Sequence, residues 1–376
     1  MLAFSNCPLD PLLGSGQTRL AWTEGLRARG HSVEVWDSEA LLGKASPARG
    51  RRWRLGWNAW RRLRAVDLNE VDLIEFYGAE FWLATWWFSR LPRRRRPLLV
   101  AHSDGLEPAY VGRLVACGAE QVAHDPLRRV QFRASRLAFT RSDAFVTASE
   151  ADRQYALEHG FWRAEQMAIV RIGLNERFLR EPAPAVDAPG REERVTFLGS
   201  WISGKGVRWV VEVMERLWAT RPNLRLSLLG VGGGESEVRA AFSPEVQPRL
   251  EVQSRLSPDA IAEVLAKTKV LFLPTEYEGF GLATAEAMAC GCAVVTTPTG
   301  FGAELVDGEE ALICPFGDVG AMQGAIGRLL DDDALRMRIA AAGQRRARTL
   351  RWETSVARLE ETYLRWVAEH RRAQAS

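Results

Sequence analysis

The sequence predicts an α/β chain built as two doubly wound, Rossmann-like domains, and three observations predict it. At 376 residues the chain exceeds what one hydrophobic core ordinarily serves, so two domains are expected. Both halves alternate short apolar runs with helix-forming stretches, the pattern of parallel sheets covered by helices, without any sequence repeat between them. Several apolar runs end in glycine-containing loops that open a helix, and open parallel sheets bind ligands there, at the carboxyl ends of their strands. The domains are expected at 1–185 and 190–355, separated by the proline-containing stretch Glu181–Gly190. A helical segment, 356–376, closes the chain.

In the first half, Met1–Asn6 reads as a strand. Gly14-Ser15-Gly16-Gln17-Thr18 then opens a helix that runs to Arg29 and stops at Gly30, and Val33–Trp36 makes the next strand. A glycine turn feeding a helix N-terminus offers backbone N–H groups to a phosphate. Arg49–Arg64 holds seven arginines and no acid, with Trp53, Trp57, Trp60 and Leu63 at helical spacing. Such a helix suits the headgroup region of an anionic membrane. It equally suits a helix whose tryptophans pack on the sheet while its arginines are solvated, and both readings stay open. Phe81-Trp82, Trp86-Trp87-Phe88 and Arg93–Arg96 extend the same character. Leu98–Ala101 is a buried strand ending in His102-Ser103-Asp104-Gly105, and Ser142–Glu150 reads as a strand entering a helix capped by Ser149.

The second half opens with the strand Val195–Leu198 and the loop Gly199-Ser200-Trp201-Ile202-Ser203-Gly204-Lys205-Gly206. Lys205 is one of only four lysines, in a chain whose cations are otherwise arginine, which suggests a point charge set against a phosphate. Leu226–Leu229 runs into a second glycine-rich turn at Gly230, and Val252–Leu256 forms a further edge. Val270–Leu273 is a short apolar strand closed by Pro274, Tyr277–Ala283 a loop, Thr284–Cys290 a helix stopped by Gly291, and Ala293–Thr297 a strand. Within that unit Gly279 and Gly281 let backbone N–H groups approach a ligand closely at a helix N-terminus. Glu278 and Glu286 flank them. A carboxylate only accepts hydrogen bonds, through two oxygens, which matches paired sugar hydroxyls; Glu286 is expected on the first helical turn.

Glu278-Gly-Phe-Gly-Leu-Ala-Thr-Ala-Glu286, followed by Ala-Met-Ala-Cys-Gly-Cys-Ala-Val-Val, resembles the signature of the family-4 retaining glycosyltransferases, which places two Glu with seven residues between them. Gly300–Gly308 and Cys314–Asp318 continue the pattern. The resemblance implies the GT-B arrangement, two doubly wound domains facing across a cleft, with a final helix crossing back to the first domain. It implies transfer of a sugar from a nucleotide-sugar to a glycan or lipid-linked acceptor, with retention at the anomeric carbon and no metal or cofactor. Carried over, Glu286 holds the ribose, while Glu278 and the backbone of Gly279, Phe280, Gly281, Leu282 and Ala283 contact sugar and phosphates. Lys205 grips the diphosphate. Gly16, Gly199, Gly230 and Leu256 fall at donor-binding positions. Two departures stand out. The second diphosphate-gripping position, an Arg in similar enzymes, is Ser200, with Arg208 or Arg19 as candidate replacements. The histidine beside the reacting sugar is replaced by Asp104, with His102 two residues earlier on the same strand face.

Composition sets outer bounds. Hydrophobic content of 47% with 26% charged residues is that of a globular protein. The first 180 residues carry 27 Lys and Arg against 20 Asp and Glu, so an anionic partner is expected there. No nucleic-acid module accompanies the arginines, and nucleic acid is not expected as that partner. No signal-peptide pattern or run of about 18 apolar residues is present, which points to a cytoplasmic enzyme, peripheral on a membrane if the Arg/Trp helix binds one. Cys7, Cys117, Cys290, Cys292 and Cys314 are scattered and read as reduced and mostly buried. Three alternatives stay open: a nucleotide-sugar epimerase or phosphorylase, which shares this architecture; a non-catalytic partner subunit, to which the Ser200 and Asp104 departures lend weight; and a structural or membrane-scaffolding role through the Arg/Trp helix.

Overall fold

The computed structural model describes residues 1–10, 14–44, 47, 49–116 and 126–375; Cys117 lies outside them. The chain divides into two compact units, Met1–Ile172 with Trp352–Ser376, and Gly173–Arg351.

The first unit is a six-stranded, all-parallel sheet: β1 (Leu2–Ser5), β2 (Glu34–Trp36), β3 (Leu73–Tyr77), β4 (Leu98–Ser103), β5 (Ala144–Thr147) and β6 (Met167–Ile169), in the order β2-β1-β3-β4-β5-β6. Side chains alternate between its faces with period two. Leu98 and Val100 of β4 join a core with Trp22, Leu26, Val356, Leu359, Tyr363 and Trp366. Leu99 joins the opposite core with Phe4, Phe76, Leu55, Ala59, Leu63 and Phe81. One face is therefore closed by the helices Gly14–Ala28 and Trp352–Ala375, the other by Arg51–Leu63 and Trp82–Phe88. Each such fully buried Leu or Phe contributes roughly 1.5–3 kcal/mol.

The second unit repeats the plan with β7 (Glu192–Leu198), β8 (Arg225–Leu229), β9 (Leu250–Gln253), β10 (Thr268–Leu273), β11 (Ala293–Thr296) and β12 (Leu312–Ile313), ordered β12-β11-β10-β7-β8-β9 and again parallel. In each sheet the chain starts in an interior strand and leaves in both directions. The switch points, where ligand loops are expected, fall between β1 and β3 in the first sheet and between β7 and β10 in the second.

The unit boundary lies earlier than expected, after Ile172, and Glu181–Gly190 packs within the second unit. Its carbonyls have partners: Gln344 donates to Pro184 O at 2.9 Å and Arg191 Nε to Ala185 O at 3.1 Å. Arg191 also reaches Thr268 O at 2.6 Å and Cys290 O at 2.7 Å, tying the stretch to β10 and the helix ahead of β11. Proline content alone does not reveal such anchors. Cys290, Cys292 and Cys314 are buried free thiols, whereas Cys7 is partly exposed.

Candidate functional site

In the second unit the loops after β7 and β10 meet at the switch point. Gly206 makes the approach possible: it sits at φ +68°, and a Cβ there would lie 1.9 Å from Pro274 O. Glu276 N donates to Gly204 O at 2.9 Å, and Thr275 Oγ1 donates to the same carbonyl at 3.0 Å. Gly206→Ala is expected to lower stability by about 2–4 kcal/mol, combining left-handed strain with a clash against backbone, measurable by urea unfolding; a change below about 1 kcal/mol would contradict this packing.

This clamp brings Lys205 Nζ onto Glu278 Oε1, a direct ion pair between the two loops. Gly281 then starts the helix Leu282–Ala289 in a left-handed conformation, with no side chain capping the first turn. The helix begins two residues earlier than expected, because that left-handed glycine can turn the chain directly into it. Leu282 and Ala283 are thus helical, and Glu286 stands on the second turn. Glu286 is partly buried, with no side-chain partner among the described residues, and burial raises its carboxyl to about 7. Phe280 is buried with its ring 5.6 Å from Phe301, so only its backbone faces the loop. Gly300 permits this: a Cβ would lie 2.5 Å from Phe280 O.

The remaining donor-side residues line the carboxyl ends of β7, β8 and β9. Gly199 N donates to Leu229 O at 2.8 Å and Gly230 N to Gln253 O at 2.9 Å. Ser200 is exposed, and Leu256 is partly exposed beyond the end of β9. Neither candidate replacement for the absent arginine is free. Arg208 pairs with the buried Glu276 at 3.0 Å. Arg19 is buried in the first unit, where it pairs with Glu75.

That pair anchors a polar network inside the first unit. Glu75 on β3 points into the core of Trp22 and Tyr363, since Ile74 and Phe76 take the other face. Its Oε2 accepts from Arg19; its Oε1 accepts from Tyr363 at 2.7 Å and lies 2.6 Å from His102 Nδ1. Burial would raise the Glu75 carboxyl, but Arg19 and the His102 hydrogen bond outweigh it and hold the group well below the usual range. Burial also lowers His102, so the neutral imidazole donates from Nδ1. His102 is fully buried and holds Glu75 in place; it does not line the adjacent cavity.

The cavity, about 340 Å³, sits at the first sheet's switch point, where Asn6, Tyr77, Glu80, Asp104, Arg51 and Arg52 line it. Tyr77 donates its hydroxyl to Asp104 Oδ2. Burial raises Asp104 to about 7; Arg19 opposes this, while Glu75 and Asp152 add to it. Asp104 Oδ1 is buried without a hydrogen-bond partner among the described residues. Arg52 grips Glu107 with two hydrogen bonds of 2.7 and 2.5 Å. Gly16 lies in the first helix against the backbone of Pro8 and Asp10, a packing position.

The family described as Glycosyl transferases group 1 matches residues 192–332, which contain Lys205, Glu278 and Glu286. A D-inositol 3-phosphate glycosyltransferase of Acidothermus cellulolyticus is 30% identical over 331 residues, covering 83% of this chain and 71% of that protein. The chain belongs to the group 1 glycosyltransferases. A second relative of this group 1 chain, the MMP alpha-(1->4)-mannosyltransferase of Mycolicibacterium hassiacum, is 28% identical over 229 residues. That match covers 59% of this chain and 54%, about half, of the mannosyltransferase. Among solved structures, sucrose-phosphate synthase from Thermosynechococcus elongatus superposes with a TM-score of 0.78 at 21% identity, covering 98% of this chain and 99% of that one. The fold of the group 1 chain is the GT-B fold.

Sequence reasoning passed over Glu75, Tyr77 and Tyr363. A signal for Glu75 existed: a lone carboxylate inside Leu73-Ile74-Glu75-Phe76-Tyr77, an otherwise apolar strand, requires a buried partner. Nothing local marks Tyr363 as one of them.

Proposed function

We propose that the chain is a retaining glycosyltransferase that moves a sugar from a nucleotide-sugar to a glycan or lipid-linked acceptor, in cell-surface polysaccharide or glycolipid synthesis. The observation that carries this reading is the meeting of Lys205, Glu278, the open helix N-terminus at Gly281 and Glu286 at one switch point. A cation, backbone N–H donors and a helix dipole suit a diphosphate; the two carboxylates suit sugar and ribose hydroxyls. Lys205 would exchange its pairing with Glu278 for the diphosphate, freeing Glu278 for the sugar. Stabilisation of the departing diphosphate is the main catalytic term. The acceptor hydroxyl delivers its proton toward that leaving group on the same face, so no strong general base is needed. We assign Asp104 to the acceptor, through a carboxyl able to give or take a hydrogen bond near neutral pH. No metal or cofactor is proposed, and the setting is the cytoplasm.

The test is a screen of UDP-, GDP- and ADP-sugars with the purified full chain, following nucleotide release and thermal stabilisation. Release with one nucleotide class supports the reading and names the donor. Silence across all three from folded protein overturns it.

A second reading, a non-catalytic subunit that binds donor, is favoured by Ser200 in the place of a diphosphate-gripping arginine. Ser200→Arg discriminates: an active enzyme already complete should gain less than about tenfold in turnover. Activity that appears only in the variant would mean that the native chain is degenerate.

A further inference from the structure

The helix Arg51–Leu63 divides its side chains in a way the donor site does not use. Leu55, Gly56, Ala59 and Leu63 are buried against the sheet. Trp53 and Trp57 point away and are 48% and 53% exposed, and on the neighbouring helix Trp87 is 41% exposed. These rings form a strip of two clusters. Trp53 meets Trp82 edge-on at 5.4 Å, Trp57 meets Trp60 at 4.8 Å, and Trp60 meets Trp87 at 5.7 Å. Arginines border it: Arg64 lies over Trp60 at 4.9 Å, Arg90 over Trp86 at 3.7 Å, and Arg61 and Arg62 are exposed at the helix end. From Arg49 to Val66 there is no carboxylate at all. The reading in which these tryptophans pack on the sheet fails for Trp53 and Trp57, because the sheet is already covered by the helix's small and aliphatic side.

We propose that this face seats the chain on an anionic lipid surface. Exposed tryptophans have an apolar body and one N–H donor, which favours the zone between headgroups and acyl chains. Arginines stacked on those rings keep their charge available to lipid phosphate, and the face has the opposite charge to the lipid it would meet. A strip of indoles with no aliphatic knob suits a shallow interface better than the packed core of a protein partner. The orientation also serves an acceptor. Arg51 and Arg52, at the start of the same helix, line the cavity that contains Asp104, so a lipid-borne acceptor would arrive beside it. That last link rests on the proposed transfer; the membrane seat itself does not.

The experiment uses the full chain without donor, so its result is independent of catalysis. Vesicles of phosphatidylcholine alone, or with one quarter phosphatidylglycerol, are sedimented with protein at low and high salt. Vesicles with brominated acyl chains report indole depth by quenching. Expected results are association at least tenfold stronger with the anionic vesicles, weakened by salt, and quenching of tryptophan emission. Trp53→Ala/Trp57→Ala/Trp87→Ala should lower association at least tenfold with an unchanged circular dichroism spectrum. Arg61→Glu/Arg62→Glu, which leaves every ring in place, should remove the preference for anionic lipid. Absence of association at low salt, or association equal in wild type and both variants, would overturn the proposal. So would a concentration-dependent dimer abolished by the tryptophan variant, because a second copy would then cover the face.

Discussion

Glu75→Ala is expected to destabilise the first unit by about 3–5 kcal/mol, the usual consequence of stranding one partner of a buried ion pair. Arg19 is buried, its charge is balanced by Glu75, and burial acts against that charge in the absence of a partner. The alanine would also leave the Tyr363 hydroxyl and His102 Nδ1 without the acceptor they share. Three elements distant in sequence would loosen together: the helix Gly14–Ala28, β4 and the helix Trp352–Ala375. Urea unfolding measures this directly, and a loss below about 1 kcal/mol would show that the network contributes little. The pH dependence has a definite sign. A carboxylate held below its ordinary value of about 4.5 contributes stability that is complete above that pH and drains away as the pH falls toward its folded value. The wild-type first unit should therefore weaken below about pH 4.5, and Glu75→Gln should flatten that limb from an already lower starting point.

Glu286→Gln is expected to weaken nucleotide-sugar binding by about 1–3 kcal/mol, the range for a lost hydrogen bond to a charged group. The amide keeps the shape and one acceptor oxygen but no charge, so the loss reports the carboxylate itself. Because burial raises Glu286 to about 7, wild-type affinity should fall as the pH drops through that value, while the variant should show no such step. Ligand-free stability moves in the opposite sense. The unfolded chain ionises this carboxyl first, near 4.5, so the contribution to stability diminishes as pH rises from about 4.5 to about 7. Calorimetric titration at pH 6 and pH 8 reads both proteins. Equal affinities for wild type and variant at pH 8 would overturn the ribose role proposed for Glu286.

The departures at Ser200 and Asp104 have different structural consequences. Ser200 leaves an exposed position open in the loop that carries Lys205, and neither Arg19 nor Arg208 is uncommitted. Asp104 is held by Tyr77 and carries a carboxyl near neutrality. The first departure removes a charge; the second installs a different hydrogen-bonding group at a built cavity.

What the sequence determined by itself was local and periodic. Apolar runs such as Val270–Leu273 and Leu98–Ala101, glycines at the carboxyl ends of strands and the Ser149 cap are each specified by residues within one turn or one strand of each other, and they carry the α/β reading and the loop at Glu278. Only the tertiary structure decided which charges are spent and which are open. Lys205 and Glu278 are 73 residues apart, and Tyr363 and Glu75 are 288 apart; no periodicity encodes such pairings. The same holds for the Arg51–Leu63 helix, whose tryptophan spacing is compatible with a core face or an outer face. The sheet took Leu55, Ala59 and Leu63, because they fit closer to its surface, and that choice left Trp53 and Trp57 outside. Domain limits moved for a similar reason: the carbonyls of Pro184 and Ala185 found donors in Gln344 and Arg191, and backbone settles where its hydrogen bonds are satisfied.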